Sequence, residues 1–426
     1  LPRAITYPQA LKGIYSLGKF GSKLGLERIS LILRHLGHPE KSCKCILVGG
    51  SNGKGSTTEF IGSILSAQGL RVGTYYSPQV EEFPERFRIS NRNASKREIA
   101  SAYSKVISVC RKHAMQATFF EVITAMALEI FRARKVEFAV LEVGLGGRLD
   151  AVNAVEPEMS VLTSVSLEHT TVLGKTIPAI AHEKCGIARK GKPLVCGFLP
   201  GEAKAAVKKE CAIIGALPVF ADEQVRIGRL SEKGGKYSFA ASFRSKPCHA
   251  SLSAPGKFQV SNACAALAAA QLLGAPKPAI EAGLSSARPK FRLQQLSLHP
   301  RVIADCAHNP EAALALSCEL SRVQEKRKVL LFSSMNDKDY PQVLRTLSPH
   351  FSRLVLCEVS LSRSAGLPGL FAAAKPHFCS IELVKSPSRA LAIAKKAAGR
   401  DGAVVVAGSI YLLAELFGRD KIRLAQ

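Results

Sequence analysis

The chain has no tryptophan, and too few acidic residues to balance its bases: 33 Asp and Glu stand against 59 Lys and Arg, a formal net charge of +26. No apolar run approaches the ~20 residues of a membrane-spanning helix, so no membrane partner is expected. The first residues lack the charged-then-apolar layout of a secretory signal. Twelve cysteines are present but no Cys-x-x-Cys; Cys43 and Cys45 form the one close pair. This usage argues against a zinc ribbon and a disulfide framework, and points to reduced thiols in a cytoplasmic protein. Low-complexity tracts and internal repeats are missing as well. The bases are spread along the chain without arms, tracts or an RNA-binding signature. A general compositional bias therefore explains the charge better than a nucleic-acid surface does, with anionic small substrates as a further reading.

With 426 residues and 47% hydrophobic content, the chain is long enough for two or three domains with proper cores. Its most informative segment is Val48-Gly49-Gly50-Ser51-Asn52-Gly53-Lys54-Gly55-Ser56-Thr57. The apolar run Ile46-Leu47-Val48 before it reads as a buried strand. The periodicity of Phe60, Ile61, Ile64 and Leu65 after it reads as a helix that stops at Gly69. A glycine-rich turn between strand and helix lets backbone N–H groups crowd around phosphate oxygens. Lys54 would reach the β- and γ-phosphates, and Ser56 or Thr57 would hold Mg2+ or a phosphate. The spacing is a compact Gly-x-x-Gly-Lys-Gly-Ser, with Val48 where the commonest P-loop has its first glycine.

Further along, Phe138–Val143 reads as a strand ending in Gly144-Leu145-Gly146-Gly147, and Met159–Val165 as another. Strands alternating with helices predict a mostly parallel, covered sheet. Residues 215–255 turn short and β-like, as a small subsheet, and an alanine-rich helix follows from Ser261. Apolar periodicity stops at Ala287-Arg288-Pro289-Lys290, which reads as a linker. The domains are accordingly placed at 1–288 and 289–426. Strands at Arg301–Asp305, Lys328–Ser333, Leu354–Val359, Ile381–Val384 and Ala403–Ala407 predict a second, smaller open sheet facing the first across a cleft.

Candidate chemistry falls at strand ends. Glu142 would point its carboxylate toward nucleotide-bound Mg2+; the plainer alternative is a helix cap. His169, after Glu168, is a metal ligand or acid/base, or a structural histidine, which is the better reading of it alone. Lys184 taken alone reads as a surface lysine, since an ammonium cannot ligate a metal, whereas a carbamate could. Arg86 could meet a phosphate or carboxylate bidentately. Asp305 could take a ribose hydroxyl, and His308 and Asn309 offer polar contacts. Asn309 also suits a helix N-cap with Pro310 at the first helical position.

Together these segments resemble the folylpolyglutamate synthase/dihydrofolate synthase family of the Mur ligase superfamily, along most of the chain. Leu141–Ala151 with Asn153 is the most specific match. Thr118–Glu121, Glu183-Lys184 with Gly186-Ile187, Asp305 with Ala307–Pro310, and Asp337–Tyr340 add to it. The chain departs mildly at Leu47 and Ser51, and more at Phe258 and around Arg292, where the family usually has other residues. The resemblance implies a P-loop central domain with a mostly parallel sheet and a smaller C-terminal Rossmann-like domain. It implies an ATP-dependent ligase that joins L-glutamate to the carboxylate of dihydropteroate or a reduced folate through an acyl phosphate. It places Gly50, Asn52, Gly53, Lys54, Gly55, Ser56, Thr57, Asn262, Arg292, Asp305 and His308 at ATP. Ser77 and Glu142 would hold one Mg2+, and Glu142, His169 and a carbamylated Lys184 a second. Lys54, Glu142, His169 and Lys184 would carry catalysis, in a monomer. Two alternatives stay open: a Mur-type ligase on a non-folate carboxylate, and an idle, basic nucleic-acid-binding relative.

Overall fold

The computed structural model describes residues 5–20 and 25–419. Seventeen strands form three sheets. They are β1 (Lys44–Gly49), β2 (Val72–Tyr75), β3 (Phe87–Ile89), β4 (Arg92–Asn93), β5 (Phe138–Glu142), β6 (Pro157–Leu162), β7 (Pro193–Cys196), β8 (Leu217–Phe220), β9 (Val225–Lys233), β10 (Lys236–Phe243), β11 (Lys246–Ser251), β12 (Gln294–Leu298), β13 (Arg301–Ala304), β14 (Lys328–Phe332), β15 (Arg353–Cys357), β16 (Ile381–Val384) and β17 (Ala403–Ala407).

The first sheet has the order β4-β3-β2-β5-β1-β6-β7-β8. It is parallel from β2 to β8, and β3 and β4 add an antiparallel edge. The apolar run of β1 has a simple cause. Cys45 and Leu47 enter the core on one face, and Ile46 and Val48 the core on the other. A strand covered on both faces has no solvent side to mark with polar residues. Each such side chain contributes roughly 1.5–3 kcal/mol on burial. The helix Lys54–Ala67 packs on the second face, so closely that a Cβ at Gly62 would meet the Thr74 methyl.

Of residues 215–255, expected as a small subsheet, Leu217–Phe220 instead pairs as β8 with β7 in the first sheet, and 225–251 form the antiparallel β11-β10-β9, whose inner face (Tyr237, Phe239, Ala241, Phe243) joins that same core. The alanine-rich helix spans Phe258–Leu272. After the helix Lys277–Ser286 the chain carries no regular element until β12.

The second α/β sheet has the order β12-β13-β17-β14-β15-β16, with β12 antiparallel at its edge and the rest parallel. Here too alternate residues feed opposite cores: Leu330 and Phe332 on one face, Val329 and Leu331 on the other. The two-domain, mostly parallel architecture is the one expected. Several short strands carry no signal of their own in the sequence, among them β2, β12 and the hairpin of β3 and β4. Each has only two to five residues, too short for periodicity to show.

No helix among the described residues is long and apolar enough to cross a membrane.

Candidate active site

In the first sheet β1 lies between β5 and β6, while the chain from β1 runs first to β2 on the far side of β5. The crevice beyond the carboxyl ends of β1 and β5 is therefore a topological switch point, where open parallel sheets take their ligands. A cleft of about 960 Å³ opens there, and the second domain forms its opposite wall. Gly50, Asn52, Gly53, Lys54, Gly55, Ser77, Glu142, His169, Lys184, Asn262, Arg292, Asp305 and His308 all line it. Ser56 and Thr57 do not. They lie buried in the first helical turn, and neither hydroxyl has a hydrogen-bond partner among the described residues.

The P-loop geometry follows from its glycines. Gly53 has φ 85° and caps the helix Lys54–Ala67, and a Cβ there would run into Asn262 Oδ1. Gly50, at φ 140°, would collide with Thr163 Oγ1. Thr163 Oγ1 and Ser164 Oγ, just beyond β6, donate to Asn52 O at 2.5 and 3.2 Å and fix the loop from below. The Lys54 ammonium folds back on the loop, donating to Gly50 O at 2.7 Å and Ser51 O at 3.1 Å. It thus sits where phosphate oxygens could replace those carbonyls as its acceptors.

Glu142 ends β5 beside Gly55 and accepts the Ser77 backbone N–H at 3.2 Å. Burial pushes its carboxyl up to about 7, against the pull of Lys54 and Arg292. A carboxylate that costs this much to ionise alone has its charge met once a cation arrives. Lys184 is also buried, and its Nζ donates to Glu168 Oε1 at 2.6 Å. Burial drives the lysine down to about 8. Burial works against the Glu168 carboxylate as well, but the Lys184 ammonium holds it well below the usual carboxylate range.

His169 adopts a left-handed backbone (φ 46°) after Glu168. Its Nε2 accepts from Lys338 Nζ, in the second domain, at 2.9 Å. Burial and the nearby Lys338 lower it to about 4, so the ring is neutral and its one lone pair, on Nε2, takes the Lys338 hydrogen bond. His308 is held at about 4 by burial, and its Nδ1 donates to Cys306 O at 2.8 Å. Asp305 accepts from the backbone N–H groups of Leu293 and Ala307, both at 2.8 Å, beside Arg292.

The domains touch through the P-loop itself. Asn309 caps the helix Pro310–Leu320, accepting from Ala312 N–H at 2.9 Å. The same side chain exchanges amide hydrogen bonds with Asn52 at 3.0 and 3.3 Å. Asn52 Nδ2 also donates to Glu311 Oε2 at 2.5 Å.

The far end of the cleft is aromatic. Tyr15 and Phe119 stack at 6.2 Å, with Phe120 edge-on to Phe119 at 5.3 Å. Gln79 donates to Tyr15 OH at 2.9 Å and accepts from Arg86 Nε. Arg86 is buried, and its Nη1 has no partner among the described residues. The sequence assigns no site role to Tyr15, Gln79 or Glu311, and Phe119 and Phe120 enter it only within the matching segment Thr118–Glu121. The adjacent pair Phe119-Phe120 at a helix start, right after Thr118, was the available signal.

Among the described residues, no group of three or more His, Cys, Asp or Glu is arranged to hold a metal. The donor set nevertheless suits Mg2+, which takes one or two carboxylates and completes its shell from phosphates and water. Glu142 and the neighbouring Ser77 hydroxyl, both lining the cleft, form such a sparse oxygen set.

Comparison with known proteins agrees with this geometry. The family model for the Mur ligase middle domain matches residues 48–270, and that for the Mur ligase glutamate ligase domain matches residues 291–410. Dihydrofolate synthase/folylpolyglutamate synthase of Bacillus subtilis is 30% identical over 97% of this chain and 99% of its own. The chain belongs to the folylpolyglutamate synthase/dihydrofolate synthase family of Mur ligases. A probable bifunctional folylpolyglutamate synthase/dihydropteroate synthase of Haloferax volcanii is 33% identical over 96% of this chain. The chain spans about half the length of that relative and of its Halobacterium salinarum counterpart. Two solved structures of the family overlay closely. Escherichia coli FolC in complex with DHPP and ADP has a TM-score of 0.85 and 30% identity, covering 95% of this chain and 96% of its own. The bifunctional folylpolyglutamate synthase/dihydrofolate synthase of Yersinia pestis complexed with AMPPNP and Mn has the same TM-score and identity, covering 97% and 98%.

Proposed function

We propose that this chain is an ATP-dependent ligase that joins L-glutamate to a pterin or folate carboxylate through an acyl phosphate. The observation that carries the reading is the shared cleft: a P-loop, a strand-end carboxylate and an aromatic slot on one domain face Arg292, Asp305 and His308 on the other. The related structures support it, since Escherichia coli FolC holds DHPP and ADP, the Yersinia pestis enzyme holds AMPPNP and Mn, and a further bifunctional folylpolyglutamate synthase/dihydrofolate synthase holds Mn, AMPPNP and L-glutamate.

In this reading a carboxylate oxygen of the acceptor attacks the γ-phosphorus of ATP, and ADP leaves. The glutamate amine then attacks the acyl carbon, and inorganic phosphate leaves. Neither step needs a protein nucleophile, so the protein's part is positioning and charge neutralisation. Lys54 and the N–H groups of Gly53, Gly55 and their neighbours cradle the phosphates, with Asn262, Arg292, Asp305 and His308 around the nucleotide. The aromatic cluster of Tyr15, Phe119 and Phe120 would pack against a flat heterocycle, with Arg86 available to its polar groups. Ser77 and Glu142 would hold one Mg2+, and Glu142, His169 and a carbamylated Lys184 a second; metal held there would supply positive charge to the transferring phosphoryl group. Closure of the second domain through Asn52 and Asn309 excludes water from the acyl phosphate. We take the domain boundary as 288/289, the protein as a cytoplasmic monomer, and nucleic acid as no partner.

The test is ADP release with Mg-ATP and L-glutamate, run in parallel with dihydropteroate and with tetrahydrofolate. Turnover with either acceptor or both supports the reading and names the activity. Silence with both acceptors overturns the folate assignment and turns attention to other carboxylates. Salt-sensitive DNA binding without turnover would indicate the idle nucleic-acid-binding relative instead.

A further inference from the structure

Glu59 lies on the nucleotide-binding helix one turn beyond Lys54 and Gly55, and it is only 5% exposed. It does not line the cleft. A buried carboxylate in a helix that packs on a sheet is costly unless its charge is met. Here it is met from two sides. Tyr76 OH donates to Glu59 Oε2 at 2.5 Å, and Arg88 Nη1 donates to the same oxygen at 2.6 Å. The Arg88 guanidinium also sits over the Tyr76 ring, 5.7 Å from its centroid.

Tyr76 immediately precedes Ser77, whose backbone N–H donates to Glu142 Oε2. The segment that presents the Ser77 hydroxyl is thus held at two adjacent points: by its own N–H to β5, and by the neighbouring phenol to the P-loop helix. The other Glu59 oxygen faces the backbone N–H of Arg288, in the stretch between the domains, at 3.5 Å. One carboxylate thereby ties the helix behind the phosphate cradle to the segment that carries Ser77.

We infer that Glu59 is a positioning residue that, through Tyr76, sets the Ser77 hydroxyl against the P-loop for the Mg-nucleotide. The inference rests on the reading of Ser77 as a metal-side ligand given above. Its consequence is specific. Loosening the tie lets Ser77 drift, which weakens metal binding without removing any group that touches substrate.

Tyr76→Phe deletes one hydroxyl and leaves the Glu59–Arg88 ion pair in place, so the variant keeps its fold. Arg88→Met breaks the ion pair and keeps the phenol bond, and serves as the control for a merely structural role. The readout is Mn2+ binding in the presence of AMPPNP, followed by electron paramagnetic resonance, together with the Mg2+ dependence of ADP release. Tyr76→Phe is expected to bind Mn2+ about tenfold more weakly, the scale for loss of an outer-sphere partner, with kcat at saturating Mg2+ within about twofold of wild type. Arg88→Met is expected to lose thermal stability with a smaller change in Mn2+ affinity. If Tyr76→Phe binds Mn2+ like wild type while Ser77→Ala binds it more weakly, the positioning role is overturned and the metal reading survives. If Ser77→Ala also binds like wild type, the metal reading of Ser77 fails and takes the inference with it.

Discussion

On the carbamate proposed at Lys184, removing dissolved CO2 should silence turnover reversibly. The Lys184 Nζ is buried 2.6 Å from Glu168 Oε1, and burial lowers its pKa to about 8. Only a neutral amine adds to CO2: the nitrogen lone pair forms the C–N bond, a proton leaves the nitrogen, and a carbamate anion results. At about pH 7.5 a group of this pKa is roughly one quarter neutral, against about one part in a thousand for an ordinary lysine. The fold thus supplies on the order of a hundredfold more reactive amine than a surface lysine would. The new carbamate would lie beside the Glu168 carboxylate, and two such anions tolerate burial only with a cation between them. Carbamate occupancy should therefore rise with pH through about 8 and rise again with Mg2+ and nucleotide. The assay is carbon-13 NMR of protein equilibrated with labelled bicarbonate, with Lys184→Ala as control. CO2-depleted enzyme should lose most of its turnover and regain it on adding bicarbonate, and small carboxylates should partly rescue Lys184→Ala. A spectrum without a Lys184-dependent signal, from enzyme whose turnover ignores CO2, would refute the reasoning.

Three further outcomes follow from the same cleft. Glu142 is pushed up to about 7, so between pH ~4.5 and 7 the folded protein keeps a proton the unfolded chain has lost, and stability falls as pH rises through that window. Glu142→Gln should then raise the melting temperature of metal-free protein at pH 8, by up to about 3 kcal/mol of stability, while abolishing turnover; equal melting at pH 8 in both proteins would count against it. Gly53→Ala places a Cβ against Asn262 Oδ1 at φ 85°, and calorimetry should find ADP binding weakened at least about tenfold, with the fold intact by circular dichroism. Asn52→Ala removes the amide exchange with Asn309 and the bond to Glu311. Small-angle scattering of the free protein should show a larger radius of gyration, and the KM for ATP should rise about tenfold, the sum of two or three hydrogen bonds.

Much of this molecule is legible in the sequence because its chemistry is written in contiguous pieces. A parallel strand covered on both faces must be apolar throughout, so Ile46-Leu47-Val48 and Val404-Val405-Val406 announce themselves. A phosphate turn needs glycines where a Cβ would collide, and Gly50 and Gly53 satisfy that within ten residues of one another. Asn309-Pro310 reads as a helix start from two residues, and the structure shows that cap. What stays hidden is whatever depends on the distance between segments. Lys184 looks like a surface residue in its own helix, because nothing within that helix says that Glu168 lies against it in the core. Tyr15 looks like an ordinary core aromatic because Phe119, its stacking partner, is over a hundred residues away.

The capping asparagine shows why local legibility and function diverge. As a cap, Asn309 needs only its own helix, and one oxygen accepting from Ala312 N–H satisfies that role. Any of four residue types would serve there about as well. Serine, threonine and aspartate all cap helices, but none has an amide nitrogen to donate. Asn309 Nδ2 donates to Asn52 Oδ1, and Asn52 sits between the glycines of the phosphate cradle. Capping leaves the choice among residues open, and the reciprocal amide pair narrows it to a side chain that accepts and donates at once. The residue thus holds a helix start and the nucleotide loop in one register, so the second domain and the phosphate site share one reciprocal amide pair.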